Sequence, residues 1–264
     1  DVYKRQGQGC GSVSTISSPI PCRDLDSVEK NIHEDTLALI AQHLFGIPAN
    51  MDPLIDLARR SSISLIEDAA QGLGGVMNGQ ALGTLADFGF FSFGRGKSLP
   101  LGEGGALVGK HRDVLEPLSM HDHPATYKIP FSLLASQVLC HPQLYWIPEA
   151  LPLGLGETVF DPSFPVNPMS GFSKTLGVRV FDSLETLNSH RNDIARVYQD
   201  SIEGSMVPPV PDGSRAVFTR FPILAGKTPI PNKLKAQGIR RMYPNAILDD
   251  SSMLIHCSNQ HLPT

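Results

Sequence analysis

The sequence predicts an α/β fold, a mostly parallel mixed sheet with flanking helices. Three observations predict it. Apolar runs of strand length recur at Leu37–Ile40, Ile63–Ile66, Phe88–Ser92 and Gly104–Val108. A helical pattern separates the first two, giving a strand–helix–strand unit, which implies parallel strands joined by a right-handed crossover. Polar residues stand where these runs end, and open α/β sheets bind ligands outside the carboxyl ends of their strands.

The elements follow in order. Leu37-Ala-Leu-Ile40 is a buried strand, and Gly46-Ile-Pro-Ala-Asn50 is the loop after it. Asp52-Pro53 reads as a helix start, with Asp as N-cap and Pro at the first helical position. Leu54, Ile55, Leu57 and Ala58 give that helix an apolar side, and Arg59 and Arg60 suit its C-terminal end. Ile63-Ser-Leu-Ile66 is the next strand, with Asp68 just beyond it, and Gly72, Gly74, Gly75 and Gly79 mark turns before Phe88–Ser92. Met120 to Pro168 carries few clean periodicities. Phe172, Leu176, Val180, Leu184, Leu187, Ile194 and Tyr198 then recur at threes and fours, which predicts one long amphipathic helix. Ala216–Leu224 reads as a strand of a smaller α+β domain. The expected organisation is residues 1–6 as a sequencing or cloning scar, 7–168 as part of a large domain, and 169–264 as the linking helix and part of a small C-terminal domain. A start without Met and a polar ending at Thr264 are read as a fragment cut at both ends.

Composition narrows the class. With 41% hydrophobic and 18% charged residues among 264, the chain can bury a real core, which excludes a disordered or fibrous protein. A net charge of −4 and a pI of about 6.1 give no electrostatic footprint for nucleic acid or an anionic membrane surface. No apolar stretch reaches the roughly 18 residues of a membrane span. Phe131–Leu155 comes nearest, and Ser132, Ser136, Gln137, His141, Gln143 and several prolines break it. Cys10, Cys22, Cys140 and Cys257 lie far apart with no C-x-x-C pair, so they read as reduced thiols of a cytoplasmic protein, not as a disulfide framework or zinc site.

The chemistry rests on Lys97 and Asp68. Lys97 lies in Phe91-Ser-Phe-Gly-Arg-Gly-Lys-Ser-Leu-Pro-Leu-Gly-Glu-Gly-Gly105, among glycines and between apolar strands, where a solvated lysine has no special reason to be. Asp68 lies in Glu67-Asp-Ala-Ala-Gln71, at a strand end. A lysine that condenses with an aldehyde and a carboxylate that keeps a pyridine nitrogen protonated are what pyridoxal phosphate requires. Partial burial would lower the lysine pKa and supply the neutral amine, which can later shuttle a proton. Taken singly, Lys97 would be a surface lysine and Asp68 a helix N-cap; their coexistence carries the reading. Gln71 faces the same cleft and can donate to the cofactor's phenolate oxygen, and Ser92 can hydrogen-bond its phosphate. Arg95 adds positive charge, while Gly102-Glu-Gly-Gly105 is better explained by turn geometry than by phosphate binding. Glu67, on the opposite face, is assigned no role. His43 is read equally as a cleft residue or as packing, and His121-Asp-His123 lacks the further ligands a metal site needs.

With these residues assembled, the chain resembles the DegT/DnrJ/StrS-type sugar aminotransferases, from about Asp35 to Lys110. His43-Leu-Phe-Gly-Ile-Pro-Ala-Asn-Met-Asp52, Glu67-Asp-Ala-Ala-Gln71, Leu82-Gly-Thr84, Phe91-Ser-Phe93, Lys97 and Gly102-Glu-Gly-Gly105 follow the family's pattern in order. The resemblance implies a type I pyridoxal-phosphate transferase fold, with Asp68 on the pyridine nitrogen, Gln71 on the phenolate, Ser92 on the phosphate and Lys97 as the imine lysine. Three departures stand out. The family's front section is absent, Gly94-Arg-Gly96 replaces a His-Pro-Thr-like linker, and its Asn-x-Arg-Met motif is reduced to Val166-Asn-Pro-Met169.

The resemblance further implies transfer of an amino group, with L-glutamate the usual donor, to a nucleotide-linked keto-sugar in polysaccharide or secondary-metabolite sugar biosynthesis. It also implies a homodimer whose sites lie between subunits. The alternatives are a cofactor-binding regulator or inactive dimer partner, and a sugar dehydratase relative, in which histidine replaces the lysine. The fragment by itself is expected to be inactive.

Overall fold

In the computed structural model the described residues are 12–17, 25–110, 115, 128–139, 168–225, 229–235 and 237–241. The scar segment, the four cysteines, His121–His123, Val166 and Asn167 lie outside them. The chain divides into two units. The first holds residues 1–136 and 159–223, the second residues 137–158 and 224–264.

The first unit is built on a five-stranded sheet in the order β1 (Ser12–Ser17), β2 (Thr36–Gln42), β3 (Ser64–Asp68), β6 (Phe88–Ser92) and β7 (Gly105–Gly109). The first four run parallel and β7 pairs antiparallel with β6, so the sheet is mixed and mostly parallel. A separate small antiparallel sheet joins β5 (Gln80–Ala81), β4 (Val76–Met77) and β8 (Ser214–Arg215).

The helix α1 spans Leu25–Lys30 and α2 spans Met51–Arg60. Leu54, Leu57 and Ala58 are buried as their spacing predicts, with Met51 added, and they pack with Leu39, Ala41 and Leu65 of the sheet. Each large apolar side chain removed from water there contributes about 1.5–3 kcal/mol. The helix begins earlier than the sequence suggests. Its N-cap is Asn50, not Asp52, so Pro53 falls inside the first turn. Proline is tolerated there because the first helical N–H groups have no intrahelical acceptor.

The long helix predicted from Phe172 onward is two. Beyond α3 (Lys128–Leu139), α4 spans Gly171–Val180 and α5 spans Leu184–Ser201, with a 3₁₀ turn at Phe181–Ser183 between them. Asp182 and Ser183 stand in that turn, residue types that favour caps and turns over helix interiors. The apolar stripe is only partly used. Leu184 is buried, whereas Phe172, Leu187, Ile194 and Tyr198 are exposed. Buried Ser170 starts α4 properly, its hydroxyl accepting the Ser173 N–H at 3.3 Å.

Ala216–Leu224 is not a strand. Only Ser214–Arg215 pairs with β4; Phe218 then takes φ +41°, which extended pairing does not allow. The segment lies instead against the first unit's sheet ends, with Val217 N–H donating to Gly46 O at 3.0 Å. In the second unit, α6 (Asn232–Lys235) is held by Leu234 and Lys235 N–H groups on Pro231 O. No described helix is long and apolar enough to cross a membrane.

Candidate functional site

Three neighbouring parallel strands end in polar residues: β2 in Gln42, β3 in Asp68 and β6 in Ser92. Gln42 and Asp68 are register partners, so their side chains project from the same edge. Gln42 Nε2 donates to Asp68 Oδ2 at 2.7 Å, and Ala70 N–H donates to Oδ1 at 3.1 Å. A carboxylate offers about four lone-pair sites. Asp68 is thus fixed by two bonds and can still accept a further proton donor.

Lys97 occupies the loop after β6 and is half-buried. Burial pushes its amine below the ordinary lysine range; the Asp68 carboxylate pulls it partly back up, and the Arg220 guanidinium pushes it down again. The structure therefore brings Lys97, from the loop after β6, and Asp68, from the end of β3, into mutual electrostatic range. The positive charge that bears on Lys97 is Arg220, not Arg95, which is exposed.

Gln71 is buried, and its Oε1 accepts from Phe45 N–H at 3.1 Å and Thr219 Oγ1 at 3.4 Å. With the carbonyl end so engaged, the amide nitrogen is the end that donates. Ser92 Oγ accepts Gly94 N–H at 3.3 Å, which leaves its hydroxyl proton for an outside acceptor. His43 is packing. It is fully buried, its Nδ1 accepts Ala49 N–H at 3.0 Å, and the ring proton on Nε2 meets Glu67 Oε2 at 2.9 Å.

Glu67, given no role from sequence, anchors the turn beneath the site. Its carboxylate is fully buried and receives Gly83 N–H at 2.6 Å, Leu85 N–H at 2.6 Å, Ala86 N–H at 2.8 Å and His43. Burial alone would raise its pKa; the bonds from His43, Ala86 and Gly83 outweigh that and hold it below the ordinary glutamate range. Gly83 and Gly89 let this turn cross β6, since a Cβ on Gly89 would collide with Gly83 O.

Gly102–Gly105 serves as a turn, as expected. Gly102 and Gly104 take φ +89° and +81°, and a Cβ on Gly104 would strike Met169. Glu103 reaches back to the start of α4, accepting from Ser170 N–H and Ser173 Oγ, each at 3.1 Å. On the other side Asn188 of α5 donates to Leu73 O at 3.1 Å, tying that helix to the turn that follows Gln71. The described residues contain no group of three side chains suited to hold a metal.

Gln42, Glu67, Thr219 and Arg220 were missed from sequence. Gln42 was signalled by its place at a strand end beside Asp68. Thr219 and Arg220 carry no local signal, because a loop far along the chain delivers them.

Comparison with known proteins finds similar aminotransferases. An L-glutamine:2-deoxy-scyllo-inosose aminotransferase of Streptomyces lividus is 42% identical over 92 residues, 35% of this chain and 22% of that protein. A dTDP-3-amino-3,4,6-trideoxy-alpha-D-glucose transaminase of Streptomyces venezuelae is 42% identical over 101 residues, 38% of this chain and 27% of that protein. The crystal structure of the aminotransferase TlmJ from Streptoalloteichus hindustanus shares the fold, with a TM-score of 0.53 at 23% identity over 74% of this chain and 48% of that one. The chain spans about half the length, or less, of the curated relatives it matches. Residues 16–125 match the DegT/DnrJ/EryC1/StrS aminotransferase family, to which that part of the chain is similar.

Proposed function

We propose that the whole protein is a pyridoxal-phosphate-dependent aminotransferase that moves an amino group from L-glutamate to a nucleotide-linked keto-sugar. One observation carries the reading: Lys97, with its amine depressed by burial, stands within electrostatic range of a doubly anchored, buried Asp68.

The residues fit the cofactor by their own chemistry. Asp68 offers a remaining acceptor for a ring N–H, the Gln71 amide nitrogen offers a donor for a phenolate oxygen, and the Ser92 hydroxyl offers one for a phosphate. Bound there, pyridoxal phosphate would supply an aldehyde for amine exchange and a protonated ring that draws electrons from the adjoining carbon. Lys97 would anchor it and, once released, carry a proton from and to the donor's Cα. The Asp68 carboxylate would hold the ring proton in place, and Gln42 would hold Asp68. The lysine also disfavours the dehydratase alternative, in which that residue is replaced.

Support for the acceptor comes from the family: one relative's name specifies a dTDP-linked glucose, the other an inosose with L-glutamine as donor. The reading is tested by the absorption spectrum of the whole protein with pyridoxal phosphate, before and after L-glutamate or L-glutamine. A near-visible band that fades on adding one of them identifies the donor. A band that ignores both leaves a regulator, and no band at all removes the assignment of Lys97.

The ring contacts are expected to rank. Asp68→Ala lowers turnover by about 10²-fold or more, since the ring proton is lost. Gln71→Ala costs about 10-fold, the lower end of the range for one hydrogen bond to a charged group. Steady-state kinetics of the two variants decide this, and the reverse order would mean the pyridine partner is misassigned.

A further inference from the structure

We propose that Gln42 is a positioning residue for the cofactor, holding the Asp68 carboxylate toward the pyridine nitrogen without neutralising it. The inference rests on the aminotransferase reading above. β2 and β3 run parallel with Gln42 opposite Asp68, so both side chains leave the same face of the sheet at the strands' polar ends. Both residues are buried, and Gln42 Nε2 lies 2.7 Å from Asp68 Oδ2.

Chemistry fixes the direction of that bond. An ionised carboxylate only accepts, so the amide must present its nitrogen, and Nε2 has its acceptor only while Oδ2 carries no proton. The Ala70 N–H on Oδ1 holds one oxygen but leaves the carboxylate plane unset. A second donor, reaching the other oxygen from a neighbouring strand, sets it. Among the described residues Gln42 is the one side chain that hydrogen-bonds Asp68.

That the donor is neutral matters as much as where it stands. Gln42 and Asp68 have Ser17 on β1 and Phe90 on β6 as their outer register neighbours, and neither is charged. His43 and Glu67, the residues next to them along the two strands, bond each other instead. Lys97, in the loop after β6, is the charged group that bears on Asp68, and Arg220 bears in turn on Lys97. A cation at position 42 would compete with the ring N–H for the same carboxylate. An amide orients Asp68 and leaves its negative charge for the ring.

Affinity of the whole protein for pyridoxal phosphate is measured by equilibrium dialysis, which needs no turnover. Gln42→Leu, similar in size and apolar, is expected to weaken binding about 10-fold, as for the loss of one hydrogen bond to a charged group. In an Asp68→Ala background the same change should matter by less than about 2-fold, because the partner is gone. An equal loss in both backgrounds overturns the proposal, since Gln42 would then act through shape alone. Gln42→Glu keeps the shape and gives an independent test if the apolar variant folds poorly. Near about pH 8 it opposes two carboxylates and should weaken binding more than Gln42→Leu does; near about pH 5 a shared proton should bring it back toward wild type at the same pH. Gln42→Glu that binds like wild type at the higher pH overturns the proposal. Wild-type protein that takes up no pyridoxal phosphate removes the aminotransferase reading and this inference with it. Uptake that is equal in wild type and Gln42→Leu removes only the role of Gln42.

Discussion

Replacing Lys97 with alanine is expected to lower turnover of the whole protein by at least ~10³-fold, because one residue supplies both the nucleophile and the proton carrier. Non-covalent cofactor binding should survive, since Asp68, Gln71 and Ser92 each keep their own anchors. The covalent site can be read directly. Borohydride reduction of the loaded protein followed by trypsin should yield a labelled peptide Gly96–Lys110, because the modified lysine no longer directs cleavage. The alanine variant should give no label. Label at another lysine, or unchanged turnover, would remove Lys97 from the mechanism. The pH profile carries a second check. The Lys97 amine is depressed by burial, so its neutral form accumulates at lower pH than for an ordinary lysine. The rate of cofactor capture should therefore rise with pH and level off below the ordinary lysine range, roughly pH 10.4. Removing Arg220 lifts a positive charge from the amine and should move that rise to higher pH; Asp68→Asn should move it to lower pH.

How much of this was legible follows the range of the interactions. The strand–helix–strand unit from Thr36 to Asp68 was readable because its signals are local: apolar runs, helical spacing and strand ends. Asp68 and Lys97 could be singled out from sequence because each sits in its own short motif. Gln42 matters only once β2 and β3 are known to pair in register, which no local pattern states. Arg220 depends on a loop carried back across the chain to Gly46 and Gln71, so its sequence neighbourhood looked like an apolar strand. The long-helix reading failed for a related reason. Periodicity continues from Val180 to Leu184, but Asp182 and Ser183 interrupt the helix between them without disturbing the apolar count. Glu67 is the most instructive case. Alternation along β3 correctly turned it away from Asp68, but the opposite face is no solvent surface; the turn at Gly83–Ala86 lies against it.

Glu67 is also where a single change should cost most stability. Its carboxylate satisfies three backbone N–H groups and the His43 ring, all removed from water. Glu67→Gln keeps the shape but turns an NH₂ group toward N–H donors, leaving at least one unpaired at about 1–3 kcal/mol each. Loss of the charge that those donors face adds to this, for an expected total of about 3–5 kcal/mol. A domain of this size should then melt roughly 6–20 °C lower. The pH dependence has a definite sign. The folded-state pKa of Glu67 lies below its unfolded value, so its contribution is complete above the ordinary glutamate pKa of about 4.3 and is lost as pH falls through the folded value. The gap in melting temperature between wild type and Glu67→Gln should accordingly be widest near neutral pH and narrow below about pH 4. A gap that does not narrow in acid would mean the cost is one of shape rather than of charge. Because Glu67 immediately precedes Asp68 on β3, the same variant should lose cofactor affinity along with stability. Site and scaffold are here adjacent residues on opposite faces of one strand.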